Sequence, residues 1–234
     1  MNMKNKLIGI IGAMSVEVEG LKQAMKSAES VTVGAIEFTK GVIGNCNVVV
    51  AKCGVGKVFA GMCAQTMIVK YAPDVIINTG VAGSLSKNIG ILDIVVGERV
   101  VQHDFDTSPL GDPKGFVSGF DSVYMNCDEE YSLRLIECAS SLGIKAVRGT
   151  IASGDRFVAD EGQKSEIASY FGADACEMEG AAIGQVCYVN NVNFCVLRAI
   201  SDGGDESAAF DYPKFVKEAS ARAVEIMCLA LTYL

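Results

Sequence analysis

The stretch Leu7-Ile-Gly-Ile-Ile-Gly-Ala-Met-Ser-Val-Glu17 holds the pattern that decides the fold. An apolar run without alternation, 7–11, passes through a glycine turn into a helix-like segment, 16–28. A strand that is hydrophobic on both faces belongs to a sheet covered on both sides. The same order recurs along the chain. Apolar runs at 48–51, 74–78, 93–96 and 193–200 are interleaved with segments of 3.6-residue period at 58–71, 129–142, 161–171, 180–189 and 213–231. In the last of these, Phe215, Ala219, Ala223 and Met227 form the expected buried stripe. Strand, turn and helix in alternation predict an α/β fold, a three-layer αβα sandwich. The alternating runs 31–34 and 36–40, meeting at Gly34-Ala35, read as an antiparallel hairpin, so the central sheet should be mixed. No repeat, linker or low-complexity tract interrupts the 234 residues, and one domain spanning 1–234 is expected. Residues 105–121, with two of the four prolines, read as a long loop.

Lys and Arg total 20 against 28 Asp and Glu, a net charge of −8. Such a surface is a poor partner for a polyanion, so neither nucleic acid nor an anionic membrane is an expected partner. His103 is the one histidine, which excludes histidine-rich metal sites and leaves carboxylates as the candidate acids and bases. Nine cysteines without C-x-x-C spacing read as reduced, buried thiols in a reducing compartment, most simply the cytosol. The basic start Met1-Asn-Met-Lys-Asn-Lys6 leads into the first core strand, not a signal peptide, and no apolar run reaches the ~18–20 residues that span a bilayer. No metal or other cofactor is expected.

The glycine turns fail the nucleotide-binding templates. Gly9-Ile-Ile-Gly12 lacks the G-x-G-x-x-G spacing, and Gly54-Val-Gly56-Lys57 lacks both the first glycine and the Ser/Thr of a P-loop. Ligands of α/β proteins nevertheless sit at the carboxyl ends of strands, and carboxylates stand there. Glu17 follows the first strand, Glu177 and Glu179 flank Met178 before Gly180-Ala-Ala, and Asp202 ends the run Phe194-Cys-Val-Leu-Arg-Ala-Ile-Ser201. Each alone reads first as a helix cap or dipole partner; together they suggest a shared site, with Arg198 placed to pair with Glu177 or Glu179. His103 and Asp155 read as structural, and Lys57 as a surface or capping residue.

These residues carry a resemblance. Gly9-Ile-Ile-Gly-Ala-Met-Ser-Val-Glu17, Asp74-Val-Ile-Ile-Asn-Thr-Gly80, Asp93-Ile-Val-Val96, Ala152-Ser-Gly-Asp-Arg-Phe157, Glu177-Met-Glu179 and Arg198-Ala-Ile-Ser-Asp202 resemble the 5′-methylthioadenosine/S-adenosylhomocysteine nucleosidases of the purine/uridine phosphorylase superfamily, nearly end to end. The resemblance implies hydrolysis of an adenine nucleoside to adenine and a 5-substituted ribose, as in methionine salvage. It implies Asp202 as the acid at purine N7, oriented by Ser201, and Glu17 as the base for water. Glu179 would hold the ribose hydroxyls, and Met178 and Met14 would pack on the sugar. Phe157 would stack on adenine, the Val158 backbone would read its edge, and Phe210 would close the alkylthio pocket. A homodimer is implied, in which the loop after His103 caps the partner's site through Thr107 and Leu110, with 58–69 as a further contact. Val81 stands where many relatives have serine, and these departures leave the 5′ group open between methylthioadenosine, S-adenosylhomocysteine, 5′-deoxyadenosine and aminodeoxyfutalosine. The alternatives are a nucleoside phosphorylase and a non-catalytic nucleoside binder. The absence of Lys and Arg from 7–21 disfavours the first, and retention of Glu17, Glu179 and Asp202 the second.

Overall fold

The computed structural model describes residues 6–234, so the basic start before Lys6 lies outside the described residues. The chain runs β1 (Leu7–Gly12), α1 (Ser15–Ala24), β2 (Lys26–Val33), β3 (Ile36–Ile43), β4 (Cys46–Lys52), α2 (Lys57–Tyr71), β5 (Val75–Ser84) and β6 (Ile94–Gln102). A 3-10 turn at Ser108–Leu110 interrupts the long loop. There follow β7 (Met125–Asn126), α3 (Glu129–Ser141), β8 (Ala146–Ser153), α4 (Glu161–Phe171), β9 (Ala175–Glu177), α5 (Gly180–Val189), β10 (Asn193–Asp202) and α6 (Ala208–Tyr233).

The αβα layering follows from two apolar clusters on opposite faces of the sheet. Alternate residues of β1 divide between them: Ile8 and Ile10 pack with Leu21, Leu135, Ala223 and Met227 of α1, α3 and α6, whereas Ile11 packs with Cys63, Met67 and Ile183 of α2 and α5. A smaller cluster seats α4 through Ile167 and Phe171. The sheet is mixed, as expected. β1 pairs parallel with β4 and β5, and β10 with β5, while the β2–β3 and β3–β4 pairs are antiparallel.

Three expectations need correction. The first helix ends at Ala24, and Lys26–Val33 forms a strand whose residues are all exposed, so its sequence carries no core-facing alternation. Strands β7, β8 and β9 were not expected; Arg148 and Gly149 interrupt the apolar signal of β8, and β9 is only three residues long. The last helix begins at Ala208, upstream of Pro213. Within the sheet the β5–β10, β10–β6, β6–β8, β8–β9 and β9–β5 pairings close a ring. All nine thiols are free, eight of them buried. Among the described residues no helix is long and apolar enough to cross a membrane.

Candidate active site

Carboxyl ends of β1, β5, β8, β9 and β10 converge on a cavity of about 310 Å³. Its wall includes Met14, Glu17, Val81, Phe157, Val158, Glu177, Met178, Glu179, Ser201 and Asp202.

Glu17 sits in the first turn of α1 and is 4 % exposed. Its Oε2 accepts the amides of Ala13 (2.7 Å) and Met14 (2.8 Å), as a helix cap does. A third bond is not part of any cap: Val81 N–H on β5 donates to Oε1 at 3.1 Å. Burial pushes its carboxyl above the usual range, against the pull of Arg198 and these amides.

Asp202 reaches the same cavity through an irregularity. The β10–β5 register pairs Ile200 with Ala82 but Asp202 with Gly83, leaving Ser201 as an extra residue. A bulge of this kind re-aims the following side chain. Ser201 Oγ donates to Asp202 Oδ2 at 2.8 Å, and Gly204 N–H to Oδ1 at 3.0 Å. Burial again raises the carboxyl's affinity for its proton. Both carboxylates press on glycines of β5: a Cβ at Gly80 would lie 2.5 Å from Glu17 Oε1, and one at Gly83 would lie 2.8 Å from Asp202 Oδ1.

Behind the cavity lies an ionic frame. Arg198, 1 % exposed, donates through Nη2 to Glu177 Oε2 and to Asn78 Oδ1, and lies 3.8 Å from Glu179 Oε2. Glu177 also accepts from Ser153 Oγ and from the amides of Glu179 (3.0 Å) and Gly180 (2.8 Å). Burial alone would raise its pKa, but Arg198 and these donors outweigh that and hold it below the usual range. Glu179 is different. Its Oε1 accepts one bond, from Gly56 N–H at 2.8 Å, and burial with the negative Glu177 beside it pushes its pKa to about 7. The site thus holds one firmly ionised carboxylate and three that retain protons more readily than usual.

Phe157 is 47 % exposed at the cavity wall and Val158 is buried beside it. Phe210, by contrast, is 73 % exposed and absent from the wall. Tyr212 takes that place, edge-on to Phe157 with ring centroids 5.6 Å apart. The reason is helical phase. Counting the stripe of Ala219 and Ala223 back by seven and then four residues reaches Tyr212 and Ala208, the latter buried; Phe210 lies off that face. Val55, Arg156 and Cys176 also line the cavity and were not singled out by the sequence reading. Thr107 and Leu110 are outside this chain's own cavity; Thr107 Oγ1 donates to Asp112 at 2.8 Å and Leu110 is 83 % exposed. His103 is also outside it. Lys57 Nζ pairs with Asp104 at 2.6 Å, and Asp155 accepts the Lys57 amide at 2.8 Å.

The model of the phosphorylase superfamily matches residues 7–232. The chain is 37 % identical over 226 residues to the 5′-methylthioadenosine/S-adenosylhomocysteine nucleosidase of Shewanella halifaxensis, covering 96 % of this chain and 97 % of that one. The Neisseria meningitidis enzyme of the same name, solved with methylthio-immucillin-A, superposes with a TM-score of 0.95 at 32 % identity, over 98 % of this chain and 100 % of its own. The futalosine hydrolase of Helicobacter pylori superposes with a TM-score of 0.93 at 34 % identity, over 100 % of both chains. By sequence and by fold, this chain belongs to the phosphorylase superfamily and, within it, to the 5′-methylthioadenosine/S-adenosylhomocysteine nucleosidases.

Proposed function

We propose that this chain hydrolyses the N-glycosidic bond of a 5′-substituted adenine nucleoside, giving adenine and the 5-substituted ribose. The observation that carries this reading is that Glu17 and Asp202, held at the ends of two different strands, face one cavity and both have raised proton affinity. Purine is a poor leaving group until a ring nitrogen is protonated, and the departing bond leaves oxocarbenium character on the sugar. Asp202, oriented by Ser201, gives its proton to N7 as the C–N electron pair moves to the base. Glu17 takes a proton from the water whose oxygen bonds to C1′. An acid and a base on opposite sides of the sugar are the arrangement of inverting glycoside hydrolysis. Glu179 accepts the ribose hydroxyls, Met14 and Met178 pack on the ring, Phe157 stacks on adenine and the Val158 backbone meets its edge. Val81 contributes its amide to Glu17, which needs no side-chain hydroxyl. Glu177 and Arg198 hold the frame.

Water is favoured over phosphate as the nucleophile because Glu17 is anionic when acting as a base, and Arg198, the guanidinium nearest to it, is engaged by Glu177 and Asn78. Adenine release from 5′-methylthioadenosine, S-adenosylhomocysteine, 5′-deoxyadenosine and aminodeoxyfutalosine, with and without phosphate, tests the proposal. Turnover independent of phosphate is expected, and Asp202→Asn and Glu17→Gln should each lose about 100-fold or more in kcat. Strict phosphate dependence, or near-normal turnover by Asp202→Asn, overturns it.

A cytosolic homodimer completes the reading. Val58, Phe59, Met62 and Val69 are at least half exposed along α2, an apolar face of the kind that a partner covers, and the 105–121 loop would reach from there to the second site. Light scattering coupled to size exclusion checks this; a fully active monomer refutes it.

A further inference from the structure

Tyr212 brings to the cavity a hydroxyl that the proposed chemistry does not use. Its ring is half-buried in the first turns of α6 and is held edge-on by Phe157. The hydroxyl has one partner, Met14 Sδ at 3.1 Å. A thioether is a weak acceptor and donates nothing, so the oxygen's lone pairs are without a donor among the described residues. A phenyl ring would fill the same wall and leave no such group to satisfy. Burial, with Glu17, Asp202 and Glu179 nearby, raises the phenol's pKa and keeps its proton in place.

The position of this hydroxyl follows from the geometry of a β-nucleoside, and this step rests on the hydrolase reading. In such a nucleoside the base and the 5′ arm share one face of the ribose. Attacking water comes from the other face, the one that also carries the 2′ and 3′ hydroxyls. With water at Glu17, the hydroxyls at Glu179 and the base against Phe157, the 5′ arm runs along the wall next to Phe157. Met14 and Tyr212 form that wall.

We infer that the Tyr212 hydroxyl determines specificity at the 5′ position, by hydrogen bonding to a heteroatom carried on C5′. A 5′-hydroxyl gains most, because it both accepts from and donates to the phenol. A 5′-thioether gains less, since it replaces one sulfur acceptor by another. A 5′-methyl group gains nothing and leaves the hydroxyl on Met14. A site that hydrogen-bonds a substrate group penalises the analogue lacking it, because the protein's own polar atom is then left poorly paired.

The test compares kcat/KM for adenosine, 5′-methylthioadenosine and 5′-deoxyadenosine in the wild-type protein and in Tyr212→Phe, with thermal melts as a check on folding. Removing the hydroxyl should lower the adenosine to 5′-deoxyadenosine ratio about five- to tenfold, the range of one ordinary hydrogen bond, and lower the methylthioadenosine ratio by less than about threefold. A ratio unchanged within about twofold overturns the inference while leaving hydrolysis intact. If Tyr212→Phe does not fold, Met14→Leu carries the test. It removes the sulfur and leaves the phenol for the substrate, so the adenosine ratio should rise; a constant or lower ratio is the contrary result. A folded wild-type protein that releases no adenine from these three nucleosides, from S-adenosylhomocysteine or from aminodeoxyfutalosine overturns the hydrolase reading itself, and with it this inference.

Discussion

Replacing Glu179 with glutamine should make the protein more stable, and the gain should grow with pH. In the folded state the Glu179 carboxyl is pushed from 4.5 to about 7, first by burial and then by the negative Glu177. A raised carboxyl pKa means that the native state binds the proton more tightly than the unfolded chain does. Its stabilising share is whole below pH 4.5 and is lost as pH rises through about 7. At 1.36 kcal/mol per unit, the ionised side chain costs about 3 kcal/mol at pH 8 and about 1 kcal/mol at pH 5.5. Glutamine never ionises, and its Oε1 can still accept the Gly56 amide that Glu179 now accepts at 2.8 Å. Urea denaturation of wild type and Glu179→Gln at the two pH values isolates the effect, because every other titrating group is common to both proteins. For a chain of this size the midpoint at pH 8 should rise by roughly 6–12 °C in a parallel thermal scan. A glutamine variant that is equally or less stable at pH 8, or a difference that does not change with pH, would refute the reasoning. Activity should move the other way: a neutral amide is a weaker acceptor for ribose hydroxyls, so KM should rise.

Two further substitutions probe the frame. Gly80→Ala places a Cβ 2.5 Å from Glu17 Oε1 and 2.9 Å from Arg198 Nη1; kcat should fall more than about tenfold, with a loss of about 1–3 kcal/mol in urea, and unimpaired turnover would show that Glu17 does not need its present position. Arg198→Met leaves Glu177 buried without its counter-charge and should cost about 3–5 kcal/mol, a loss that Arg198→Lys only partly restores because lysine lacks the planar fork; a change under about 1 kcal/mol by denaturation would contradict the frame's role.

Several parts of this picture were legible because short-range chemistry dictates them. The helices at 161–171 and 180–189 could be bounded from their periodicity alone, the first of them with an Asp160 cap that accepts the Gln163 amide at 2.8 Å. Glu17 could be singled out because it follows an apolar run and a turn, Asp202 because it ends an apolar run, and Glu179 because it stands just before a helix start, positions where α/β folds place ligands. What stayed hidden depends on pairing between distant segments. The bulge at Ser201 exists only relative to β5, and β9 is held in place by its neighbours β8 and β5 and not by its own three residues. That Phe210, which the resemblance implied, stands outside the cavity wall follows from helical phase. Starting the last helix at Pro213 puts 210 and 212 outside the helix, where the stripe that separates them cannot be applied. Beginning it at Ala208 buries one face and turns Phe210 to solvent.

The mixture of one firmly ionised and three reluctant carboxylates has a thermodynamic consequence for anything that enters the cavity. At neutral pH the empty site exchanges protons with the buffer, Glu179 being about half protonated with a pKa of about 7. A neutral nucleoside can leave that balance almost intact, whereas a ligand with a fixed positive charge on its sugar ring draws Glu179 into its anionic form and expels its proton. Neutral and cationic ligands therefore meet two different electrostatic environments within the same walls. The affinity of the cationic class should climb with pH until Glu179 is fully ionised, and its binding heat should carry the ionisation enthalpy of whichever buffer receives the proton.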